Sequence, residues 1–191
     1  MDVVPRHQCL IYEKSPSAYL KELARTMIAS LNENRRCLYL NSPAMVAGMR
    51  CALAAEGLDL TAEIGKGALI LTSDQNHLSS GRFDVERMLE LLQTAVRQAT
   101  TDGYAGLWAS GDITWELGGE ENFDKLLEYE SRLDEFMQSN ESLSGVCQYD
   151  SKTLPTHAIE TGLCSHPAIY VNETLSHLNA RYKSSDRAAS A

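Results

Sequence analysis

Short apolar runs and amphipathic segments alternate along almost the whole chain, and this alternation constrains the fold more than any other feature. Segments 8–12 (QCLIY), 37–41 (CLYLN), 68–73 (ALILTS), 106–113 (GLWASGDI), 143–150 (LSGVCQYD) and 168–171 (AIYV) read as strands. Helical patterns lie between them. Ser15-Pro16 and Ser42-Pro43 each set a capping hydroxyl before a first-turn proline. Leu20, Leu23, Ala24, Met27, Ile28 and Leu31 follow the first pair at helical spacing, and Gly57 closes the second helix. Asp84 is placed to cap a helix that buries Val85, Met88, Leu89, Leu92, Val96 and Ala99. An acidic helix is expected over 120–138, a short one from Pro155, and a last one over 172–182.

Such alternation predicts an α/β fold of three layers, a mostly parallel sheet with helices on both faces. The expectation is one domain over 1–182 and a disordered tail over 183–191. In sheets of this kind ligands bind beyond the carboxyl ends of the strands. The ends to inspect include Tyr12, Asn41, Ser73, Asp112 and Tyr149.

Charge and cysteine usage narrow the function. Acidic residues outnumber basic ones, 26 to 17, for a formal charge of −9. That argues against direct nucleic-acid binding, which needs a basic surface. No run approaches the ~18 apolar residues of a membrane span, and the N-terminus lacks a secretory pattern. Five scattered cysteines without a C-x-x-C pair suit a reducing cytoplasm.

Several residues have chemistry to offer. The first strand-to-helix turn has Lys14-Ser15 but no glycine between Cys9 and Gly48. It therefore cannot wrap a phosphate as a Walker loop does, and no standard ATP site is present. His7 and Cys9 share one strand face, and Tyr12 lies on the other. His7 and Cys9 are candidate metal ligands, with Cys147 and His166 as partners if the fold brings them close. Otherwise Cys9 is a small buried hydrophobe. Asp112 and Trp115 either line a pocket or are a turn aspartate and an aromatic plug. Glu130 interrupts the stripe Phe123, Leu126, Leu127, Leu133, Met137, so it either serves a site or bonds an arginine such as Arg132. The other acids of that helix, Asp134 among them, read as a solvated face. Cys147 and Tyr149 share a face of the fifth strand. His77, His157 and His177 read as surface residues, and His166 as structural.

Taken in chain order, H-x-C-x-x-Y (His7, Cys9, Tyr12), GRFD (81–84), GLWASGDITWEL (106–117), EYE (128–130), CQYD (147–150) and HP (166–167) resemble the MEDS family, methanogen/methylotroph DcmR sensory domains. The resemblance covers about 5–172. It implies a degenerate RecA/KaiC-like fold without the phosphate loop, and a non-enzymatic sensory role. It implies a small ligand such as a hydrocarbon derivative, and a signalling partner such as a histidine kinase or transcription regulator. The family's motif residues map onto His7, Cys9, Tyr12, Asp112, Trp115, Glu130, Cys147, Tyr149 and His166. Many members carry Glu in the slot of Asp112. The expected output is therefore ligand sensing at the strand ends. The alternatives are a metal or thiol-redox sensor on His7 and Cys9, a residual nucleotide-binding enzyme using Asp112 and Glu130, or an interaction module. The last helix, with Leu175, Leu178 and Tyr182, either supports a homodimer or packs on its own sheet.

Overall fold

A computed structural model describes residues 5–13, 17–172 and 175–182. The Ser15-Pro16 cap, Lys14 and the tail over 183–191 lie outside the described residues. The elements are β1 (His7–Tyr12), α1 (Ser17–Asn32), β2 (Arg35–Leu40), α2 (Pro43–Ala55), α3 (Leu60–Gly65), β3 (Leu69–Thr72), β4 (Leu78–Ser79) and β5 (Arg82–Phe83). They continue with α4 (Val85–Thr101), β6 (Gly106–Asp112), α5 (Ile113–Leu117), α6 (Leu126–Ser139), β7 (Leu143–Asp150), α7 (Thr156–Ser165), β8 (Ala168–Asn172) and β9 (Leu175–Leu178).

Seven strands form one sheet in the order β3-β2-β6-β7-β1-β8-β9. All neighbours run parallel except β8 and β9. β1 lies between β7 and β8 and is covered on both faces, which is why its sequence is apolar in near-continuous fashion. Alternate residues of the strands feed two separate cores. Leu10, Trp108 and Val146 pack against α1 and α2 through Leu23, Met27, Met49 and Leu53. Cys9, Leu107 and Tyr149 pack on the opposite face with Met88, Leu92, Leu126, Leu133 and Met137 of α4 and α6. The three-layer α/β reading holds.

Local chemistry sets several boundaries as read. Ser42 accepts the Met45 N–H ahead of Pro43, and Asp84 accepts the Arg87 N–H. Gly57 follows α2 at a φ of 88°. Other segments depart from expectation. The helix expected over 172–182 is replaced by β9, an antiparallel partner of β8. Leu175 and Leu178 mimic a helical interval, but an open sheet edge offers this segment a full ladder, and pairing outweighs a weak periodicity. After Asp112 comes α5, then a 3₁₀ turn over Glu120–Lys125, so the acidic helix expected over 120–138 begins only at Leu126. Leu127 is 61% exposed and leaves the expected stripe. The polar stretch around 78–83 forms a small hairpin, β4 with β5, turned by Ser80 and Gly81, both at positive φ.

Gly145 shows how tightly β6 and β7 approach. A Cβ there would sit 2.1 Å from the Ala109 carbonyl oxygen, a backbone atom that cannot move alone. Gly145→Ala is expected to destabilise the fold by about 1–3 kcal/mol in urea unfolding, as overpacked sites do. Gly65→Ala, at a helical position with open space around it, should be neutral or stabilising by up to about 1 kcal/mol. Equal effects of the two changes would contradict this account.

Candidate functional site

Strand alternation sorts the polar residues onto two faces. On the α6/α7 side, β1 presents His7 and Cys9, and β7 presents Cys147 and Tyr149. The α6 helix adds Glu130 and, one turn later, Asp134. His166 closes the group from the end of α7, just ahead of β8. His7, Glu130, Asp134 and His166 are all buried, Glu130 and His166 fully.

These side chains hold one another. His7 Nδ1 lies 3.0 Å from Asp134 Oδ1. The other Asp134 oxygen accepts from the Tyr182 hydroxyl and from Gln138 Nε2, each at 2.7 Å. The Tyr149 hydroxyl donates to Glu130 Oε1. The His7 and His166 rings sit 4.0 Å apart between centroids. His166 Nδ1 is 2.7 Å from the Gly162 carbonyl. Gly162 is needed there: a Cβ would meet the Tyr149 ring at 2.6 Å. One nitrogen, oxygen or sulfur from each of His7, Glu130, Cys147 and His166 lies within 4.8 Å of the other three. Cys9 is outside that set, although it stands in register with Cys147 on the neighbouring strand.

Burial dominates the electrostatics. It raises the Glu130 carboxyl to about 7, although His7 and the Tyr149 hydrogen bond pull the other way. It holds His166 well below the ordinary imidazole value, with His7 adding to the effect. Cys9 is pushed up to about 12 by burial and then by Glu130, and Cys147 is raised for the same two reasons. A thiol-redox sensor needs a lowered thiol value, and burial moves both thiols the other way.

Tyr12 and Asp112 meet on the opposite face, at the carboxyl ends of β1 and β6. The Tyr12 hydroxyl donates to Asp112 Oδ2 at 2.6 Å, and Oδ1 accepts the Trp115 N–H at 3.1 Å as the cap of α5. The Trp115 side chain joins neither group; its ring packs 5.9 Å from His77. Thus His7, Cys9, Glu130, Cys147, Tyr149 and His166 come together beneath the sheet, while only Tyr12 and Asp112 stand together at the strand ends.

Three residues escaped the sequence reading. Asp134, taken as solvated, is 3% exposed; its place four residues after Glu130 was the available signal. His77, taken as a surface residue, is buried with Nε2 2.7 Å from the Glu116 carbonyl. Glu116 itself is buried, and its carboxylate fills the space a Cβ on Gly111 would occupy, at 1.6 Å. Tyr129 Oη lies 3.4 Å from Glu116 Oε2. Arg132 does not pair with Glu130 but with Glu86.

A cavity of about 40 Å³ opens beside this group, between the sheet and helices α4 and α6. Its walls are apolar, with Ala109, Met88, Leu92 and Leu133 prominent, and Glu116, Tyr129 and Cys147 supply the polar edge. Cys147 therefore belongs both to the polar group and to the cavity wall.

The family model for MEDS, the MEthanogen/methylotroph, DcmR Sensory domain, matches residues 6–167. The chain belongs to the MEDS family. Its role is accordingly sensory. No curated protein matches the chain. Among the described residues of this MEDS domain, no helix is long and apolar enough to cross a membrane.

Glu116 gives a test of the buried electrostatics. Burial first, then Glu130 and Asp112, lift its value well above 4.5. The folded state then holds a proton that the unfolded state releases. Stability from this group is full below about pH 4.5 and falls as pH rises toward the raised folded value, by up to about 1.4 kcal/mol per pH unit. Glu116→Gln removes that proton linkage. Urea unfolding from pH 5 to 8 should show a shallower decline in the variant, and parallel pH profiles would refute the buried, protonated state.

Proposed function

We propose that this MEDS domain is a non-enzymatic receptor for a small, mainly apolar molecule taken into the cavity between the sheet and helices α4 and α6. The observation that carries this reading is the cavity's make-up, an apolar chamber with Glu116, Tyr129 and Cys147 at one edge. Its size narrows the ligand. About 40 Å³ exceeds the ~10–15 Å³ that one water requires and falls far below the ~300 Å³ of a drug-sized site. A hydrocarbon derivative of one to three carbons, with one polar atom directed at Glu116 or Cys147, suits both its size and its lining. The family's sensory character agrees with this.

Signalling requires that ligand bind two states unequally. A molecule wedged between the sheet and α4/α6 would press on both helices and change how they rest on it. That displacement is what a signalling partner, such as a histidine kinase or transcription regulator, would read. Catalysis through Asp112 has less support, since both of its oxygens are engaged by Tyr12 and Trp115.

The test is a thermal-shift panel of short alcohols, alkanes and halomethanes. At least one should raise the melting temperature of the native protein, approaching a stabilisation of about 2.7 kcal/mol at a hundred times Kd. Ala109→Val, which fills the cavity from the sheet side, should fold and lose that response. A panel without effect on the native protein, or an undiminished response in Ala109→Val, would defeat the cavity as the receptor site.

A further inference from the structure

Four lone pairs converge beneath β1 and β7, and two of them have no partner. A carbonyl oxygen can only accept, so the contact to Gly162 fixes the His166 proton on Nδ1 and leaves Nε2 as a bare acceptor. Asp134 fixes the same tautomer on a neutral His7 ring. Glu130 engages Tyr149 with Oε1. Glu130 Oε2 and His166 Nε2 are buried without a hydrogen-bond partner. They face each other at 3.6 Å, an acceptor against an acceptor whenever Glu130 is ionised. His7 Nε2 is 3.9 Å from the same Glu130 oxygen and 3.7 Å from Cys147 Sγ. An unsatisfied buried polar atom costs about 1–3 kcal/mol, and a carboxylate more, so the arrangement calls for something positive at its centre.

Distances separate a metal ion from a water. A water hydrogen-bonded to tetrahedrally placed acceptors holds them roughly 4.6 Å apart. A tetrahedral zinc ion, with Zn–N about 2.0–2.1 Å and Zn–S about 2.3 Å, holds its donors roughly 3.3–3.6 Å apart. Three of the six donor pairs, at 3.6, 3.7 and 3.9 Å, lie nearer the metal's spacing, and all six fall within 4.8 Å. The donor types agree. Two imidazoles, a thiolate and a carboxylate suit a borderline ion such as zinc, whereas calcium and magnesium require more oxygen ligands. The outer contacts agree as well: His7 to a carboxylate, His166 to a carbonyl and Glu130 to a phenol are the supports that orient metal ligands.

We infer that His7 Nε2, Glu130 Oε2, Cys147 Sγ and His166 Nε2 form a tetrahedral binding site for a divalent transition-metal ion of zinc type. Asp134 is its positioning residue, holding the His7 ring. The ion takes the place of the Cys147 proton, as thiol ligands bind deprotonated. The site stands apart from the identity of any cavity ligand: Ala109→Val should retain the metal while losing the small molecule.

Cobalt(II) titrated into chelator-treated protein tests this. We expect one equivalent to bind, with the intense visible bands of tetrahedral cobalt and a near-ultraviolet thiolate-to-cobalt band, and we expect zinc to displace it. Cys147→Ser should abolish the thiolate band, and Cys51→Ser, at an exposed cysteine, should leave it intact. Asp134→Asn should weaken cobalt binding about 10–100-fold with unchanged far-ultraviolet circular dichroism. X-ray absorption of the zinc-loaded native protein should give one sulfur and three nitrogen or oxygen neighbours, and decides the matter even if Cys147→Ser does not fold. The inference is overturned if the folded native protein takes up neither ion. It is also overturned if the thiolate band survives Cys147→Ser, or if the shell holds no sulfur or more than one.

Discussion

Glu130 is a carboxyl group with no access to water, and much of this structure is arranged around it. A carboxylate taken out of water must be protonated, hydrogen-bonded or faced by positive charge. Here Tyr149 supplies the hydrogen bond, His7 and His166 approach from two other elements, and Gly162 leaves the room that Tyr149 needs. None of these groups could be moved independently. Replacing Gly162 would displace Tyr149, and shifting Tyr149 would strip the carboxyl of its partner. The group thereby couples α6, α7, β1 and β7 more strictly than apolar packing alone, which tolerates repacking when volume is kept.

The sheet divides the molecule's chemistry into two insulated compartments. The His7 and Cys147 side lies under α6 and α7, while Tyr12 and Asp112 lie under α1. Adjacent residues of one strand serve different compartments: Val146 belongs to the α1/α2 core and Cys147 to the polar group beside the cavity. A motif written H-x-C-x-x-Y is thus not one site. Its first members face one compartment and its tyrosine the other.

The strands and most helices were legible because their signals are local. Ser42 and Asp84 cap where capping chemistry predicts, and the apolar rows of α1 and α4 face the cores. The parity of β1 placed His7 and Tyr12 on opposite faces without any structure. Convergence of His7 with Cys147 and His166 was not legible, because it depends on β1 lying between β7 and β8, a pairing over more than a hundred residues of chain. Asp134 was lost in the charge density of its helix. Glu116 was missed because α5 spans five residues, too few to register a period. The reversal at β9 was illegible for the same reason, since two leucines three apart fit a helix as well as a sheet edge.

The order of the chain has a consequence for how the molecule is made. β1 is synthesised before every other strand of the sheet, yet its neighbours β7 and β8 come after β2, β3 and β6. At about 5–20 residues per second, the ribosome needs roughly 8–30 s to travel from His7 to His166. Through that interval β1 is an apolar strand with two open edges, exposed to mispairing and to chaperones. The two halves of the buried polar group meet only after most of this domain has been synthesised. A nascent or truncated chain that stops before α7 holds His7, Glu130 and Cys147 but lacks the closing histidine, so this group is completed just before the last two strands of the sheet, β8 and β9, are made.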